Sequence, residues 1–398
     1  MFEIENLTNE LIYEIFDYFD SCDIYQSFSN LNTHFENLLL NPCLQLRICF
    51  DITYEFDVDT ELKMVKYYEE YIYPYRDKVI ALHLYETFII NKFFSICTID
   101  SSFTNLQSII VNDISSLKFA VLLFYFRGLP CLYSLTIVIN ETDEDEIGDI
   151  YRMTFQLSAL KYFKFEISNR LTHYLDLPKA TPTEQSPIEY LSIRHHLTID
   201  DLSDLLTYTP HLKHLNCMTC VQSNSLDLIA NPIPLKDLVH VSLSIDQISF
   251  NIFEQFLLQI GSQLRVLSLA VYQSDFNYLD PIRWENLILK RMPHLQRFRF
   301  HFNEKNDDEF DVKPLTHSLI GGFHSPFWLD RRWFFRISID SHYVVHSILP
   351  DGFDFLLQID FICLFFCRIC LENSEESLAL VDEATMNDGA SMTISFYR

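Results

Sequence analysis

Apolar residues recur along the middle of the chain at positions i, i+3 and i+5 of successive short segments. Successive segments start between 24 residues (Ile188 to Leu212) and 31 residues (Leu264 to Leu295) apart. The nine segments are Val79-Leu82-Leu84, Leu106-Ile109-Val111, Leu132-Leu135-Ile137, Leu160-Phe163-Phe165, Ile188-Leu191-Ile193, Leu212-Leu215-Cys217, Leu238-Val241-Leu243, Leu264-Leu267-Leu269 and Leu295-Phe298-Phe300. Each predicts a short strand with one apolar face, and the period predicts a repeat protein.

The stretches between these segments predict helices. Leu117 to Phe126 is one, Asp201 to Tyr208 follows the capping residue Thr198, and Ile252 to Ile260 stops before Gly261. A strand with one apolar face cannot bury that face alone, so stacked repeats would share one continuous core. The predicted fold class is α/β, a solenoid with a curved parallel sheet inside and helices outside.

Three short helices are predicted in the first forty residues. Apolar residues recur at helical spacing from Leu11 to Phe19, Asp23 provides a start signal for the second helix, and the third begins at Asn32 and stops before Pro42. Three helices of this size make a small core, so such a module is expected to lean on a partner or on the next domain.

The spacing of the apolar residues in these helices resembles an F-box, the motif that docks on a Skp-type adaptor of cullin-RING ubiquitin ligases. The family commonly begins with Leu-Pro, whereas Leu7 is followed here by Thr8, whose hydroxyl is expected to cap the first helix instead. The resemblance implies adaptor contacts by Leu7, Leu11, Ile12, Ile15, Phe16, Phe19, Ile24, Phe28 and Leu31. The alternative is a three-helix cap that only shields the end of a larger domain.

The repeats resemble those of leucine-rich-repeat F-box proteins in period and in the Pro-x-Leu segments at Pro130, Pro210 and Pro293, although the usual asparagine after the strand is mostly missing. The resemblance implies a substrate-recognition subunit of an SCF-type ubiquitin ligase, bound to cullin and RING subunits through the adaptor. Two alternatives remain open. One is a leucine-rich-repeat scaffold without a ligase role, and the other is an enzyme with a dispersed site.

The strand face opposite the core is the predicted target-binding surface. Its residues become more basic and aromatic in the later repeats, in contrast to the acidic chain as a whole. We therefore expect an acidic or phosphorylated target segment, because arginine binds carboxylate and phosphate well. The predicted target-binding residues are Tyr162, Lys164, Tyr190, Arg194, His214, Asn216, His240, Arg297, Arg299 and His301.

Composition narrows the possible partners. The 398 residues are 48% hydrophobic, which favours a large core, and the net charge of -26 disfavours nucleic acid and anionic membranes. The beginning of the sequence lacks a signal-peptide pattern and the 10 cysteines are scattered, so we expect a reducing compartment, cytoplasmic and/or nuclear. We expect a monomer apart from the ligase complex.

No catalytic residue, metal or cofactor is predicted. The chain has no phosphate-binding glycine loop or hydrolase motif, and Cys217, one residue of a C-x-x-C pair with Cys220, occupies a core position of its repeat. The thiols of Cys363, Cys367 and Cys370 do not complete a zinc site either. His195 and His196 are expected at a rim of the sheet, and the acidic run from Glu141 to Glu146 is expected in a solvated loop.

Four regions are predicted from these patterns. Residues 1–45 form the F-box-like module, 46–75 a linker with a helix near Glu61 to Tyr73, and 76–345 the solenoid with a cap. The cap residues are Phe323, Phe327, Trp328 and Trp333, next to a turn at Gly321-Gly322. Residues 346–398 are predicted to hold an apolar segment that adds a strand to the cap, followed by a mobile tail.

Overall fold

The computed structural model describes residues 4–50, 65–66, 68–141, 146–168, 177, 179–181, 183–222, 235–272, 275–305, 322–339, 343–350 and 392–394. The protein is mixed α/β, with helices and a large, mostly parallel sheet. The chain divides into two compact units. The first unit is Met1–Val241 with Gln255–Ile260, and the second is Ser242–Glu254 with Gly261–Arg398.

The first unit begins with the three predicted helices. They follow a 3-10 turn at Ile4–Asn6 and are α1 (Asn9–Phe16), α2 (Ser21–Phe28) and α3 (Thr33–Leu40). Asn32 caps α3, since its Oδ1 accepts hydrogen bonds from the backbone N–H groups of His34 and Phe35 at 2.9 and 3.0 Å. The prediction of a third helix starting at Asn32 is therefore confirmed.

Two predicted start signals were wrong. Helix α2 is capped by Asp20, whose Oδ1 accepts from the Asp23 N–H at 2.8 Å, so Asp23 lies inside the first turn. Thr8 occupies the position before α1, but its side chain accepts no backbone hydrogen bond. A backbone hydrogen bond at Glu10 and a second bond from the Thr8 hydroxyl lower the pKa of the Glu10 carboxyl instead.

The strands of the first unit lie side by side in chain order, and every pairing described between β1 and β7 is parallel. Strand β8 crosses the boundary between the units. The strands are β1 (Leu46–Phe50), β2 (Val79–Leu84), β3 (Ser108–Ser115), β4 (Ser134–Glu141), β5 (Tyr162–Ile167), β6 (Tyr190–Thr198), β7 (His214–Val221) and β8 (His240–Asp246). The predicted parallel strands are confirmed.

The region predicted as a linker contains β1, which pairs with β2 from Leu46 to Phe50. Tyr68–Ile72 is one turn of π-helix. A 3-10 segment over Tyr73–Lys78 follows, with Pro74 in its first turn and a kink at Tyr75, whose backbone is not helical. Residues 61–64 and 67 of the predicted helix lie outside the described residues.

Helices follow β2, β3, β4, β6 and β8, and those predicted from Leu117, Asp201 and Ile252 are confirmed. The helices after these strands are α4 (Thr87–Ile96), α5 (Ser116–Phe126), α6 (Ile147–Phe155), α7 (Ile199–Leu206) and α8 (Phe250–Ile260), and α8 also crosses the boundary between the units. Thr198 caps α7 in a reciprocal arrangement with Asp201, whose N–H donates to Thr198 Oγ1 at 3.1 Å. The cap predicted at Thr198 is confirmed.

The predicted triplets form the core. Every one of their residues is at most 8% exposed, and Leu82, Leu135, Leu191 and Leu267 are at most 1% exposed. Each of these strands therefore buries one apolar face. This burial is the main stabilising term of both units.

Acidic side chains from distant positions in the chain bind the N-termini of two helices. In the first unit, Asp113 Oδ2 accepts from the Thr87 N–H at 3.3 Å, and the Thr87 hydroxyl lies 2.6 Å from the Asp113 carbonyl oxygen. In the second unit, Asp275 Oδ2 accepts from the Phe250 N–H at 2.7 Å. These bonds satisfy backbone N–H groups at the starts of α4 and α8.

The second unit ends with an antiparallel part. The described strands are β9 (Val266–Tyr272), β10 (Arg297–Lys305), β11 (Trp333–Ile339), β12 (Tyr343–Pro350) and β13 (Met392–Ile394). The helical elements are 3-10 turns at Gly261–Gln263 and Phe276–Leu279, and α9 (Pro281–Arg291) and α10 (Pro326–Asp330). β10 pairs parallel with β9 and antiparallel with β12, and β11 lies between β12 and β13.

Aromatic side chains cover β10 within the second unit. Phe323, Trp328 and Trp333 are at most 2% exposed, and the rings of Trp328 and Trp333 lie 6.3 and 5.8 Å from the ring of Phe298. The predicted aromatic cover is thus present. In the described ranges no helix is long and apolar enough to cross a membrane. The predicted apolar segment from 353 to 371 and the thiols of Cys363, Cys367 and Cys370 lie outside those ranges.

Gly322 is required by a close approach. A Cβ at Gly322 would overlap Cγ of Pro281, the first residue of α9. We expect Gly322→Ala to lower the free energy of unfolding by about 1–3 kcal/mol, because the added methyl must displace a packed ring. Urea denaturation measures this loss.

Gly128→Ala is the matched control for that substitution. The nearest atom to a Cβ at Gly128 is the Tyr125 carbonyl oxygen at 3.4 Å, which is ordinary contact. We expect a change below about 1 kcal/mol, stabilising if anything, because alanine restricts the unfolded chain. Equal losses in the two variants would contradict the packing explanation.

Candidate functional site

The three N-terminal helices have an incompletely covered apolar surface. Leu11, Phe19 and Leu31 are 44%, 40% and 56% exposed, and Tyr18 is 91% exposed. Leu7, Ile15 and Phe28 are half-buried. Large apolar side chains that remain in contact with water are typical of a protein-binding surface.

Three of the predicted adaptor contacts lie inside the module. Ile12, Phe16 and Ile24 are at most 2% exposed, and the Phe16 ring lies 4.9 Å from the ring of Phe28. Phe28 in turn lies 5.0 Å from the ring of Phe35. These buried side chains hold the helices together, so a partner docking on this surface would reach the exposed residues and the edges of the half-buried ones.

The helical module is fixed to the rest of the first unit. The Tyr25 and Tyr75 rings stack at 5.4 Å with 20° between their planes, and the Lys78 ammonium donates to the Leu39 carbonyl oxygen at 3.0 Å. Arg47 of β1 lies 3.8 Å from the carboxylate of Asp17. These contacts leave the exposed surface of the helices in a defined position on the unit.

A ladder of four rings crosses strands β5 to β8 on the face opposite the core. The centroid distances are 4.6 Å from Tyr162 to Tyr190, 5.7 Å from Tyr190 to His214 and 5.4 Å from His214 to His240. The first two pairs are stacked because parallel pairing aligns Tyr162 with Tyr190 and Tyr190 with His214. Four of the predicted target-binding residues are thus brought together, and the set is called the ring ladder below.

Two rows of charged residues flank the ring ladder. On one side, the Glu166 carboxylate lies 3.5 Å from the Lys164 ammonium and 3.7 Å from the Arg194 guanidinium. At the strand starts, Glu189 lies 3.1 Å from Lys161 and 2.6 Å from Lys213. The surface around the ring ladder is therefore less basic than Lys164 and Arg194 alone suggest. Its two carboxylates still face four cationic side chains, which leaves a surplus of positive charge.

Ion pairs and burial also shift the pKa values of two groups in and beside the ring ladder. Hydrogen bonds from Lys213 and then Lys161 lower the pKa of the Glu189 carboxyl. Burial, and then the neighbouring Tyr190, raise the pKa of the Tyr162 phenol. The ring ladder thus presents an aromatic surface edged by ion pairs, with the half-buried amide of Asn216 on the neighbouring row of β7.

Glu166 and Glu189 were missed by sequence reasoning. A signal for Glu189 exists, because Lys161, Glu189 and Lys213 each precede the first ladder residue of their strand. Placing the repeats side by side would have predicted the alternating charges of this row.

The prediction that His195 lies at a rim of the sheet was wrong, because its side chain is buried. Its Nε2 lies 2.7 Å from the hydroxyl of Tyr151, which is also buried. Tyr151 belongs to α6 and His195 to β6, so this pair links the helix layer to the sheet. It is a structural contact of the core.

The last three predicted target-binding residues belong to the second unit. Arg297 is exposed, and Arg299 and His301 are half-buried. Burial, and then the charge of Arg299, lower the pKa of His301 to about 4. His301 is therefore neutral at physiological pH, which reduces the predicted basic character of β10.

A second histidine of this unit makes stability depend on pH. His346 is 6% exposed between the rings of Phe302 and Phe335, and burial lowers its pKa to about 4 although Glu304 Oε2 lies 3.8 Å from its Nε2. An unfolded histidine has a pKa of about 6.5. The unfolded state thus binds a proton that the folded state does not bind between these two values.

The free energy of unfolding is therefore expected to fall as the pH falls from about 6.5 toward 4, by up to about 3 kcal/mol from His346. His346→Phe should reduce this loss relative to the wild type in urea titrations at pH 7 and pH 5. His211→Gln is the control, because its side chain is 66% exposed. An identical pH dependence of the wild type and His346→Phe would rule out this role.

In the ranges that the structure describes, no group of three His, Cys, Asp or Glu residues is placed to hold a metal ion. Comparison with protein-family models gives no match, and comparison with curated proteins gives no match either.

Proposed function

We propose that this chain is the substrate-recognition subunit of an SCF-type cullin-RING E3 ubiquitin ligase. In this proposal α1 to α3 bind a Skp-type adaptor and the strand face of the repeats binds a target protein. The observation that carries it is the N-terminal module, in which Leu11 of α1 and Tyr18, Phe19 and Leu31 of the connecting turns are exposed. The spacing of its apolar residues resembles an F-box. The proposed compartment is cytoplasmic and/or nuclear.

The repeats are proposed to form a leucine-rich-repeat solenoid. Parallel strands in chain order, the connecting helices α4 to α8 and a buried apolar triplet in each repeat support this assignment. Such an array presents its strand face as a row of equivalent positions, on which a target segment can lie across several strands.

The ring ladder is the proposed target-binding platform. Tyrosine and histidine rings supply rigid contact area at a low cost in side-chain entropy, and tyrosine is common among residues that dominate binding. The surplus of lysine and arginine around Glu166 and Glu189 favours an acidic or phosphorylated target segment.

The chain itself would perform no bond-making step in this function. Its contribution is proximity, because it would hold a target lysine near the ubiquitin carrier that the other subunits supply. A leucine-rich-repeat scaffold without a ligase role is the second candidate, and the contacts of Tyr25, Lys78 and Arg47 that fix the helices to the first unit also suit such a cap.

Affinity capture of the tagged full chain, with the proteasome and neddylation inhibited, tests this proposal. We expect a Skp-type adaptor and a cullin to be captured together with a target protein. Capture of a target without adaptor or cullin would favour the scaffold and contradict the ligase role.

Replacing Tyr190 by alanine is expected to weaken capture of the target about tenfold or more while the adaptor is retained, because Tyr190 lies between the rings of Tyr162 and His214. Quantitative mass spectrometry of the captured proteins measures both. Tyr133→Ala is the control, since Tyr133 is 46% exposed but lies outside the ring ladder. Equal target capture by both variants would remove the ladder from the proposal.

A further inference from the structure

Helices α4 and α5 of the first unit expose an apolar surface that the proposed adaptor and target contacts do not use. Leu117, Val121 and Phe124 of α5 are 66%, 50% and 63% exposed, and Phe88 of α4 is 52% exposed. Helix α5 also buries Phe119, Leu122, Leu123 and Phe126, so it is apolar on nearly all sides. A helix of this kind is normally covered on all sides.

A groove runs between the two helices. It has a volume of about 400 Å³, and its floor is formed by the buried side chains of Ile90, Ile114 and Leu122. The walls are formed by Phe94 of α4 and by Leu117 and Val121 of α5. Ile90 and Phe94 lie one turn apart on α4, and Leu117 and Val121 lie one turn apart on α5. A helical ligand presents its own apolar residues at the same spacing.

Neighbouring helices of the array do not share this surface. Among the described residues, α6, α7 and α8 have no large apolar side chain that is exposed. The outward side of α6 instead holds the ion pair of Asp149 and Arg152, and Asp204 lies on α7. The apolar exposure of α4 and α5 is therefore not shared by the three helices that follow them in the chain.

Charge distinguishes the same two helices. The chain has 55 Asp and Glu residues against 29 Lys and Arg, yet α4 and α5 contain no carboxylate. Their charged residues are Lys92 and Lys118, and Arg127 follows α5. The polar rim of the groove consists of Asn91, Ser95 and Lys118. An apolar groove with a basic rim is complementary to an apolar ligand with acidic flanks.

We infer that the groove between α4 and α5 binds an amphipathic helix of a partner protein, with apolar residues at i, i+3, i+4 and i+7 and acidic residues beside them. This interaction is additional to the proposed adaptor and target contacts and depends on neither. The net charge of -26 opposes a surface of anionic lipid. A second copy of this groove would bring the two Lys118 rims toward each other, so self-association is also disfavoured.

Synthetic helical peptides can test this inference on the full chain. One fluorescent probe carries leucine at i, i+3, i+4 and i+7 with glutamate beside them, a second carries lysine in place of glutamate, and a third is a scramble of the first. Fluorescence anisotropy measures their affinities. We expect the glutamate probe to bind about tenfold or more tightly than the other two.

Two substitutions of exposed side chains locate the site. Val121→Glu should weaken binding of the glutamate probe about tenfold or more, and Lys118→Glu should reduce its preference over the lysine probe. Leu289→Glu on α9, where Leu289 is 53% exposed, should change neither. Because all three side chains are exposed, the variants should keep the thermal midpoint of the wild type.

Several results would overturn the inference. Equal binding of the scramble, or glutamate-probe binding that neither Val121→Glu nor Lys118→Glu changes, would show that the groove does not recognise this ligand. A dimer in sedimentation that Val121→Glu dissociates would assign the surface to a second copy. Flotation with phosphatidylserine vesicles that Val121→Glu abolishes would assign it to a lipid surface.

Discussion

Trp284→Ala is expected to lower the free energy of unfolding by about 4–5 kcal/mol. Trp284 is 0% exposed on α9, and its ring lies 5.1 Å from Phe250, 5.0 Å from Phe298 and 5.8 Å from Phe300. Its Nε1–H also donates to the Tyr278 carbonyl oxygen at 2.7 Å. Truncation would leave a large cavity between α8, α9 and β10 and would remove this hydrogen bond.

Urea denaturation followed by circular dichroism measures this loss. Leu289→Ala on the same helix is the control and should change stability by less than about 0.5 kcal/mol, because that side chain is exposed. Trp284→Phe should fall between the two, since it keeps most of the apolar contact and loses the hydrogen bond. A loss below about 2 kcal/mol for Trp284→Ala would show that this cluster is not the centre of packing in the second unit.

Combined substitution of Leu11 and Leu31 by aspartate is expected to lower the affinity for a Skp-type adaptor about 100-fold or more. Both side chains are exposed in the free chain, so the substitutions should leave the helices folded. In an apolar interface each new carboxylate would be buried without a partner. The loss would then come from the complex and not from the free protein.

Phe16→Asp would not serve the same purpose. Phe16 is 2% exposed against Phe28, so a charge there would disrupt the helical module itself. Leu289→Asp, at an exposed leucine outside the module, is the matched control and should leave adaptor affinity unchanged. A similar loss for Leu289→Asp would indicate a general effect of charge on solubility.

The strand core was predictable because its pattern is local. In Leu160, Phe163 and Phe165 the spacing alone specifies which side chains share a face, and all three are fully buried. Strand β1 was not predicted, although Leu44, Leu46, Ile48 and Phe50 alternate there, because this segment lies farther from β2 than the later segments lie from one another. Its parallel pairing with β2 depends on a neighbour more than thirty residues away in the chain.

The surfaces were less predictable than the core. The sequence indicated that Lys164 and Arg194 face away from the core. The ion pairs that both make with Glu166 were not predicted, because they depend on the register between β5 and β6. Within the helical module, periodicity identified apolar faces without telling which of them meet each other. Ile12 and Leu11 follow one another in the chain, yet the first is buried and the second is exposed.

Titration calorimetry of the purified full chain with a purified Skp-type adaptor tests the central claim most directly. The proposed function predicts a saturable 1:1 complex with a dissociation constant of about 1 μM or tighter, weakened about 100-fold by the combined Leu11→Asp and Leu31→Asp substitutions. The absence of binding at about 100 μM adaptor, or binding that the two substitutions do not change, would contradict it.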